Sequence, residues 1–582
     1  MKCVSCGYKV ILTLGIAVFS LAIAIPASAQ VVLAPTTPVI GSSNTVSADP
    51  RVPRPDTKPC TVTLFTNLEF ADYNTKSYGY TPPADCPGPW AKVVFTADFT
   101  VTAGLQYDRT EEFFLGGANL LYGTTAQPRS NLSPDWHVEN DVTDLSALFT
   151  APQAGTAQLG NFVGIYDGQD YNGIIYADAH LIFYPAGWSA PAARVPDVVI
   201  GIPGNNGPAT LNTTASQLTQ TVTLPTNVET AYLDVIAQSQ SNDEFWYLCV
   251  PNDVASELDS CGNTGFRETE ISIDGVPAGV APVYPWIFTG GVDPFLWEPI
   301  PGVQTLDFKP FRVDLTPFAG VLSNGKPHTV AISVFNADSY FLATGTLLVY
   351  TDKGTKQVTG EVISNTLAAA PSPDVTENLT TGASGEITGS VAVTSTRKYS
   401  IVGKVHTSHG DKTTQVDGKL SFANTQNFII DATEYKQSLV QSTEGTISTT
   451  TKADGRTTVD EKKLSYPFTF LYDQVTNSNG TTTVTNQSDQ KYLVSRIDSN
   501  PDHGFGDWGI PFVDVTSNEV ISSNDLYYDA NGNYTGNAGS SSQNYLTFDS
   551  TGYCYSGSLT SKNLALTSFS YDSACKGWGD KK

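Results

Sequence analysis

From residue 60 onward, short runs of β-branched and aromatic residues alternate with clusters of Gly, Pro, Asn, Asp and Ser. Ala91–Val101, Ala331–Phe335 and Gly345–Tyr350 are such runs, each of strand length and bounded by turn residues. Stripes at i, i+3, i+4, i+7 are hard to find, and 49 Gly with 35 Pro interrupt any long helix. Three segments recur in order about 160–170 residues downstream: Arg109–Gly117 as Arg267–Gly275, Asp141–Phe149 as Asp314–Leu322, and Ala179–Tyr184 as Gly345–Tyr350. The pattern predicts an all-β chain with a duplicated β-sandwich, one copy over residues 56–195 and the second over 196–355. Beyond about residue 355 the strands become Thr/Ser-rich and are joined by Asp-Gly and Asn-Gly turns. Residues 356–582 are therefore expected to form a further β-rich domain with a structural role, and Lys412–Gly455 an exposed sheet of hairpins.

The N-terminus departs from this texture. Lys2 and Lys9 precede an apolar run, Val10–Ile25, and Ala27-Ser28-Ala29 supplies small residues for cleavage. The run is about 16 residues, short of the ~20 a bilayer span needs, so residues 1–29 read as a removable secretory signal. The working chain would start near Gln30 in a secreted or periplasmic setting. Residues 30–55, rich in Pro, Thr, Ser and Ala without periodicity, read as a linker or arm. No second long apolar stretch follows, so no membrane association is expected after signal removal.

Charge and cysteine usage narrow the function classes. A net charge of −25 argues against nucleic acid and anionic membrane surfaces. Charged residues make up only 15% of the chain, which leaves few ion pairs to lose at acidic pH. Removing Cys3 and Cys6 with the signal leaves Cys60, Cys86, Cys249, Cys261, Cys554 and Cys575. Their simplest pairing is local, 60–86, 249–261 and 554–575, among the fifteen connectivities six cysteines allow. None has CxxC spacing, and no GxSxG, HExxH, Walker or dinucleotide-glycine motif occurs, so no metal and no cofactor are expected. Asp529–Gly536 spaces oxygen ligands like a calcium loop but has Ser540 at the twelfth position, which favours a hairpin turn.

Carboxylates set among aromatics remain as candidate chemistry. In Tyr107–Phe113, Asp108 and Glu112 would share one face of a strand and Glu111 the other, with Arg109 beside Asp108. In Asn242–Tyr247, Asp243 and Glu244 precede Phe245, Trp246 and Tyr247; acids against an aromatic shelf suit a sugar, with ring faces stacking and acids taking hydroxyls. Spacing alone favours the blander reading, solvated strand ends.

The strings Gln106–Gly117, Ala126–Arg129, Trp136–Thr143 and Leu159–Asn161, followed by Asp243–Tyr247, Phe266–Glu268, Tyr284–Trp286, Phe288–Gly291 and Lys326–His328, resemble the acidic peptide:N-glycanase A family. The match runs collinearly from about residue 56 to 350 and continues more weakly through Tyr399–Gly403 and Leu420–Asn424. The resemblance implies two tandem jelly-roll-like sandwiches and an amidase that hydrolyses the N-acetylglucosaminyl–asparagine linkage of N-glycoproteins or N-glycopeptides, releasing intact glycans at acidic pH. The rolls also look like the bacterial peptide:N-glycanase F type, whose Asp-Arg step stands at Asp108-Arg109, which implies the principal catalytic role for Asp108. That enzyme's second acid precedes a Phe-Arg pair where this chain has Asn263 before Phe266-Arg267, and its auxiliary Glu falls near Asn161. Glu244 is expected to supply the second acid, with Glu268 as the alternative. Arg109, Glu112, Asn161, Asp243, Trp246, Tyr247 and Glu268 are the expected substrate-binding residues, acting in a monomer. A non-catalytic N-glycan-binding lectin and a glycosidase cleaving within chitobiose are the competing readings.

Overall fold

The computed structural model describes residues 30–31, 33–500, 511–573 and 575. The export signal expected over residues 1–29 lies outside the described residues.

Alternation of apolar and polar positions builds the first sandwich. In Ile175–Pro185, Ile175, Ala177, Ala179, Leu181 and Phe183 are all buried while the intervening residues are not, as a strand with one covered face requires. Counting its eight sheet strands along the chain from Cys60–Phe70 to Ile175–Pro185, and leaving out the separate hairpin Gly164–Tyr166/Gln169–Tyr171, one sheet has the order first, eighth, third, sixth, and the other second, seventh, fourth, fifth. This is jelly-roll connectivity. Phe70, Phe95, Phe99, Phe113, Phe149 and Phe183 fill the space between the sheets. Each such ring contributes roughly 1.5–3 kcal/mol through burial.

The second sandwich, Val198–Ile202 to Tyr340–Thr351, repeats the order strand for strand, with Ala209–Leu211 added at one edge. The recurring segments fall on equivalent elements. Arg109 and Arg267 each stand immediately before the fourth strand, Thr110–Leu115 or Glu268–Ile273. Asp141 and Asp314 each end the sixth strand and lead into a 3-10 turn.

The C-terminal region is one antiparallel sheet of eleven strands, most of it a meander between sequential neighbours. Ile387–Thr407, Gly410–Ile430 and Arg456–Thr476 are 21 residues each, about 70 Å at ~3.3 Å per residue. One face is buried against the second sandwich: Phe422 meets Phe266 at 4.9 Å, Phe468 meets Tyr247 at 5.0 Å, and Tyr466 meets Tyr284 at 5.1 Å. The expected exposed sheet over Lys412–Gly455 is therefore exposed on one side only. Amides at inward positions lower its apolar content, yet they are bonded: Asn424 and Gln426 donate to the Tyr247 and Cys249 carbonyls at 2.7 and 2.9 Å.

Residues 33–55 are not a free linker. Ala48 is fully buried, its N–H bonded to Gln543 and its carbonyl to Tyr555, while Arg51 and Arg54 both reach Glu139 of the first sandwich. The segment straps the C-terminal sheet to the first sandwich. The three disulfides are Cys60–Cys86, Cys249–Cys261 and Cys554–Cys575, the local pairing. Asp529 accepts from the Asn531 and Asn533 N–H groups inside a hairpin turn.

Because Phe422 is wedged between Trp246 and Phe266, Phe422→Ala is expected to destabilise the folded chain by about 3–5 kcal/mol, read as a lowered denaturation midpoint.

Candidate active site

The two sandwiches meet at a seam, and four segments bring polar groups to it. From the first sandwich comes the loop ahead of Thr110–Leu115, carrying Tyr107, Asp108 and Arg109. The Arg109 N–H donates to Thr125 Oγ1 at 3.1 Å and the Asp108 N–H to Gln127 Oε1 at 2.8 Å, so this loop is fixed before the strand begins. From the second sandwich come the Ser241–Leu248 turns with Glu244, the loop through Gly290, and Tyr340. The Gly290 N–H donates to Asp108 Oδ2 at 2.8 Å. A Cβ at Gly290 would sit 2.0 Å from Gln127 Oε1 and 3.0 Å from Asp108 Cγ, so any larger residue here would have to displace those two side chains.

Asp108 and Glu244 are both partly buried, and the charge on Asp108 acts on Glu244. Burial raises Asp108 above the ordinary carboxylate value, opposed by the Gly290 N–H and the nearby Arg109 charge. Burial, and then repulsion by the Asp108 charge, push Glu244 up to about 7. Asp108, which has the donor and the cation, therefore ionises ahead of Glu244, whose proton its charge helps to retain.

Arg109 has an unusual environment. Its guanidinium lies 3.8 Å from the Tyr107 ring centroid, is almost fully buried, and finds no acceptor among the described residues. Burial lowers its pKa to about 10. Its counterpart in the second sandwich is satisfied: Arg267 donates to Asp243 at 2.8 and 3.1 Å and to the carbonyls of Asn263, Thr264 and Phe266.

The other expected site residues are placed differently. Asp243 is wholly buried, taken up by Arg267 and by the N–H groups of Asp338 and Ser339, so it faces the interior rather than a ligand. Trp246 and Tyr247 have no exposed surface and pack against Phe422 and Phe468; they offer no ring face to a sugar. Glu268 pairs with Arg397 of the C-terminal sheet at 3.1 Å. Glu112 lies in the strand and accepts from Tyr122, whereas Asp108 precedes the strand, so the two do not share a face in the expected way. Asn161 donates to the carbonyls of Phe70 and Gly173, and its own carbonyl oxygen has no partner among the described residues. Its neighbours Gly160 and Phe162 both bond the Tyr107 hydroxyl, which keeps the Asn161 segment beside the seam.

Aromatic surface does border the site, at residues the sequence pattern did not single out. The Tyr73 and Tyr107 hydroxyls bond at 2.8 Å, Tyr73 stacks on Phe162, and Tyr107 packs edge-on to Tyr171. Tyr73, Ile165 and Tyr166 are 62%, 76% and 69% exposed, the last two on the small hairpin Gly164–Tyr166/Gln169–Tyr171. A cavity of about 740 Å³ under the N-terminal strap contains neither Asp108 nor Glu244 in its walls.

Fold and seam together define a twin jelly-roll protein with a coupled carboxylate pair where its two rolls meet. The chain belongs to the peptide N-acetyl-beta-D-glucosaminyl asparaginase amidase A family, whose model matches residues 50–368; the PNGase A C-terminal domain model matches residues 390–468. It is 30% identical over 389 residues to the peptide-N4-(N-acetyl-beta-glucosaminyl)asparagine amidase A of Prunus dulcis, covering 62% of this chain and 65% of that relative's length. Solved structures of PNGF-II in two crystal forms overlap half of this chain at 14% identity with a TM-score of 0.35, too slight a likeness to argue from. The resemblance read from the sequence is borne out at the level of family.

Burial also raises Glu112, Glu268 and Glu270 to about 7, as it does Glu244. A folded-state pKa above the unfolded one means that the native state binds more protons between about pH 4.5 and 7, so stability falls as pH rises through that window. Each group contributes up to ~1.4 kcal/mol per pH unit, and nothing further once both states are ionised above about 7. Chemical denaturation is expected to give a higher unfolding free energy at pH 5 than at pH 8.

Proposed function

We propose that this chain is an amidase that hydrolyses the bond between the innermost N-acetylglucosamine and asparagine in N-glycopeptides and N-glycoproteins. The observation that carries the reading is the Asp108–Glu244 pair at the seam, with one carboxyl held protonated up to about pH 7 beside another that ionises first. Amide hydrolysis at low pH needs both forms at once. Ionised Asp108, held through Oδ2 by Gly290, takes a proton from water as its oxygen attacks the side-chain carbonyl carbon. Arg109, whose donors are unclaimed, supplies hydrogen bonds to the oxygen on which charge develops. Glu244 protonates the departing glycosyl nitrogen as the C–N bond breaks, leaving aspartate in the peptide and a glycosylamine. Tyr73 and Tyr166 take over the stacking part first given to Trp246 and Tyr247: both are largely exposed, Tyr73 bonds the Tyr107 hydroxyl, and Tyr166 lies on the hairpin whose Tyr171 packs against Tyr107. Three disulfides support work in an oxidising compartment outside the cytoplasm. Among the described residues no helix is long and apolar enough to cross a membrane.

Mass spectrometry of a defined glycopeptide separates this reading from its rivals. An amidase leaves a peptide with Asp in place of Asn, a chitobiose-cleaving glycosidase leaves one N-acetylglucosamine on Asn, and a lectin changes neither. Asp108→Asn is expected to abolish release, and near-wild-type turnover by that variant would falsify the assignment. Glu244→Gln is expected to lower kcat by about 10²–10⁴ and to remove the alkaline limb of the rate profile near pH 7. The sign follows from the role: protonated Glu244 is the active form, so activity rises with pH as Asp108 ionises and falls as Glu244 does. Tyr73→Ala is expected to raise KM while leaving kcat nearly unchanged, as loss of a stacking surface that holds substrate and transition state alike.

A further inference from the structure

The buried face of the C-terminal sheet does more than cover the second sandwich. Its strands Thr482–Asp498 and Phe512–Tyr528 pair so that Asn486 lies opposite Asn524, and Gln490 stands two positions of the same face further along. All three are buried, and all three spend their amides on the loop that carries Gly290. Asn524 donates to Asp293 Oδ2 at 2.7 Å and Asn486 to the same oxygen at 3.3 Å. Gln490 donates to the Pro285 carbonyl at 2.7 Å and accepts from the Val303 N–H at 3.2 Å, clamping the loop at both ends. Asp293 is 1% exposed, and its other oxygen is taken by the Phe295 N–H at 3.0 Å.

Between Gly290 and Asp293 the backbone is under strain. Val292 has φ of 63°, a left-handed conformation that a β-branched side chain resists. The Asp293 N–H bonds back to the Gly291 carbonyl at 2.7 Å, and the Trp297 indole donates to the same carbonyl at 2.9 Å, so the turn is held from its Asp293 side. Gly290 is the residue just ahead of this turn, and its N–H is the one donor from another segment that reaches the Asp108 carboxylate among the described residues.

We propose that the C-terminal sheet is a positioning element for the reaction: Asn486 and Asn524, acting through Asp293, hold the strained Gly290–Asp293 turn so that the Gly290 N–H meets Asp108. The proposal rests on the reading of Asp108 as the group that activates water. When those amides are lost the turn relaxes, the N–H withdraws, and the carboxylate is less stabilised. Asp108 then ionises at higher pH and sits less well aimed.

The test compares Asn524→Ala, Asn486→Ala and Gln543→Ala in the full chain, with a defined N-glycopeptide as substrate. Gln543 is a buried amide of the same sheet, but it holds the N-terminal strap instead. Asn524→Ala is expected to lower kcat about tenfold at unchanged KM and to move the acid limb of the rate profile to higher pH. Asn486→Ala, which removes the longer bond, is expected to show the same two changes in smaller measure. Gln543→Ala is expected to lose stability without moving the limb. Unchanged kcat and acid limb in Asn524→Ala, or a limb shift as large in Gln543→Ala, overturns the proposal. Should Asn524→Ala not fold, Asn486→Ala decides by the same two readouts. Asp108→Asn keeps the two claims apart: if it stays active, the reading of the site fails, whereas if it is dead and the asparagine variants behave as wild type, only the positioning role does.

Discussion

A buried guanidinium must find acceptors, and the two sandwiches meet that requirement in opposite ways. Arg267 has Asp243 and three carbonyls around it, with no exposed side-chain surface on either ion. Breaking such a pair costs about 3–5 kcal/mol because the surviving charge stays buried. Asp243 also receives the backbone of Asp338 and Ser339, so one carboxylate ties the fourth strand, the Ser241–Leu248 turns and the approach to the last strand. Glu244 is the next residue, and it comes to the seam because its neighbour is locked. In the first sandwich the equivalent Arg109 lies over the face of Tyr107 and feels the charge of Asp108, but its nitrogens make no hydrogen bond among the described residues. Duplication has left one copy of the motif structurally complete and the other with spare donors, which is what a binding site requires of a rigid scaffold.

The same accounting explains the polar C-terminal sheet. An inward row of Asn and Gln would be costly if unmatched, since each buried amide that lacks a partner loses its bonds to water. Here the loops of the second sandwich leave carbonyls and N–H groups at Tyr247, Cys249, Pro285 and Val303 that a wholly apolar sheet would have stranded. The sheet closes a core and completes the hydrogen bonding of the loops at once. Aromatic pairs such as Tyr284 with Tyr466 and Tyr492 supply the apolar contact between those bonds.

Much of the architecture was legible because strand alternation and repeat order are properties of the chain itself. Arg109–Gly117 and Arg267–Gly275 fall on equivalent strands, and the local cysteine pairs close. Likeness of motif drew attention to Asp108, and a departure from that motif drew attention to Glu244; the fold brings the two close enough for the Asp108 charge to act on Glu244. What failed was the direction of side chains in turns. Period-two reasoning gives faces only within a strand; Asp108 lies before its strand, and Asp243 to Tyr247 lie in 3-10 turns where adjacent residues diverge. Gly290 was not singled out because its importance is a close approach between segments 182 residues apart. Tyr73 and Tyr166 went unnoticed for a similar reason: an exposed tyrosine is ordinary until folding puts it beside the site.

Desolvation links the site's chemistry to the scaffold's endurance. Glu244 is held protonated by the same burial that acts on Glu112, Glu268 and Glu270, whose pKa values all lie at about 7. Glu139, by contrast, is drawn down to about 2 by His137 and Arg54 against the pull of its own burial, so the strap at Arg51 and Arg54 keeps its anchor in acid. The pH range in which Glu244 carries its proton is therefore the range in which Glu112, Glu268 and Glu270 carry theirs and the strap remains ion-paired. One physical cause, removal of carboxyl groups from water, thus sets the protonation of Glu244 at the seam and of Glu112, Glu268 and Glu270 in the scaffold.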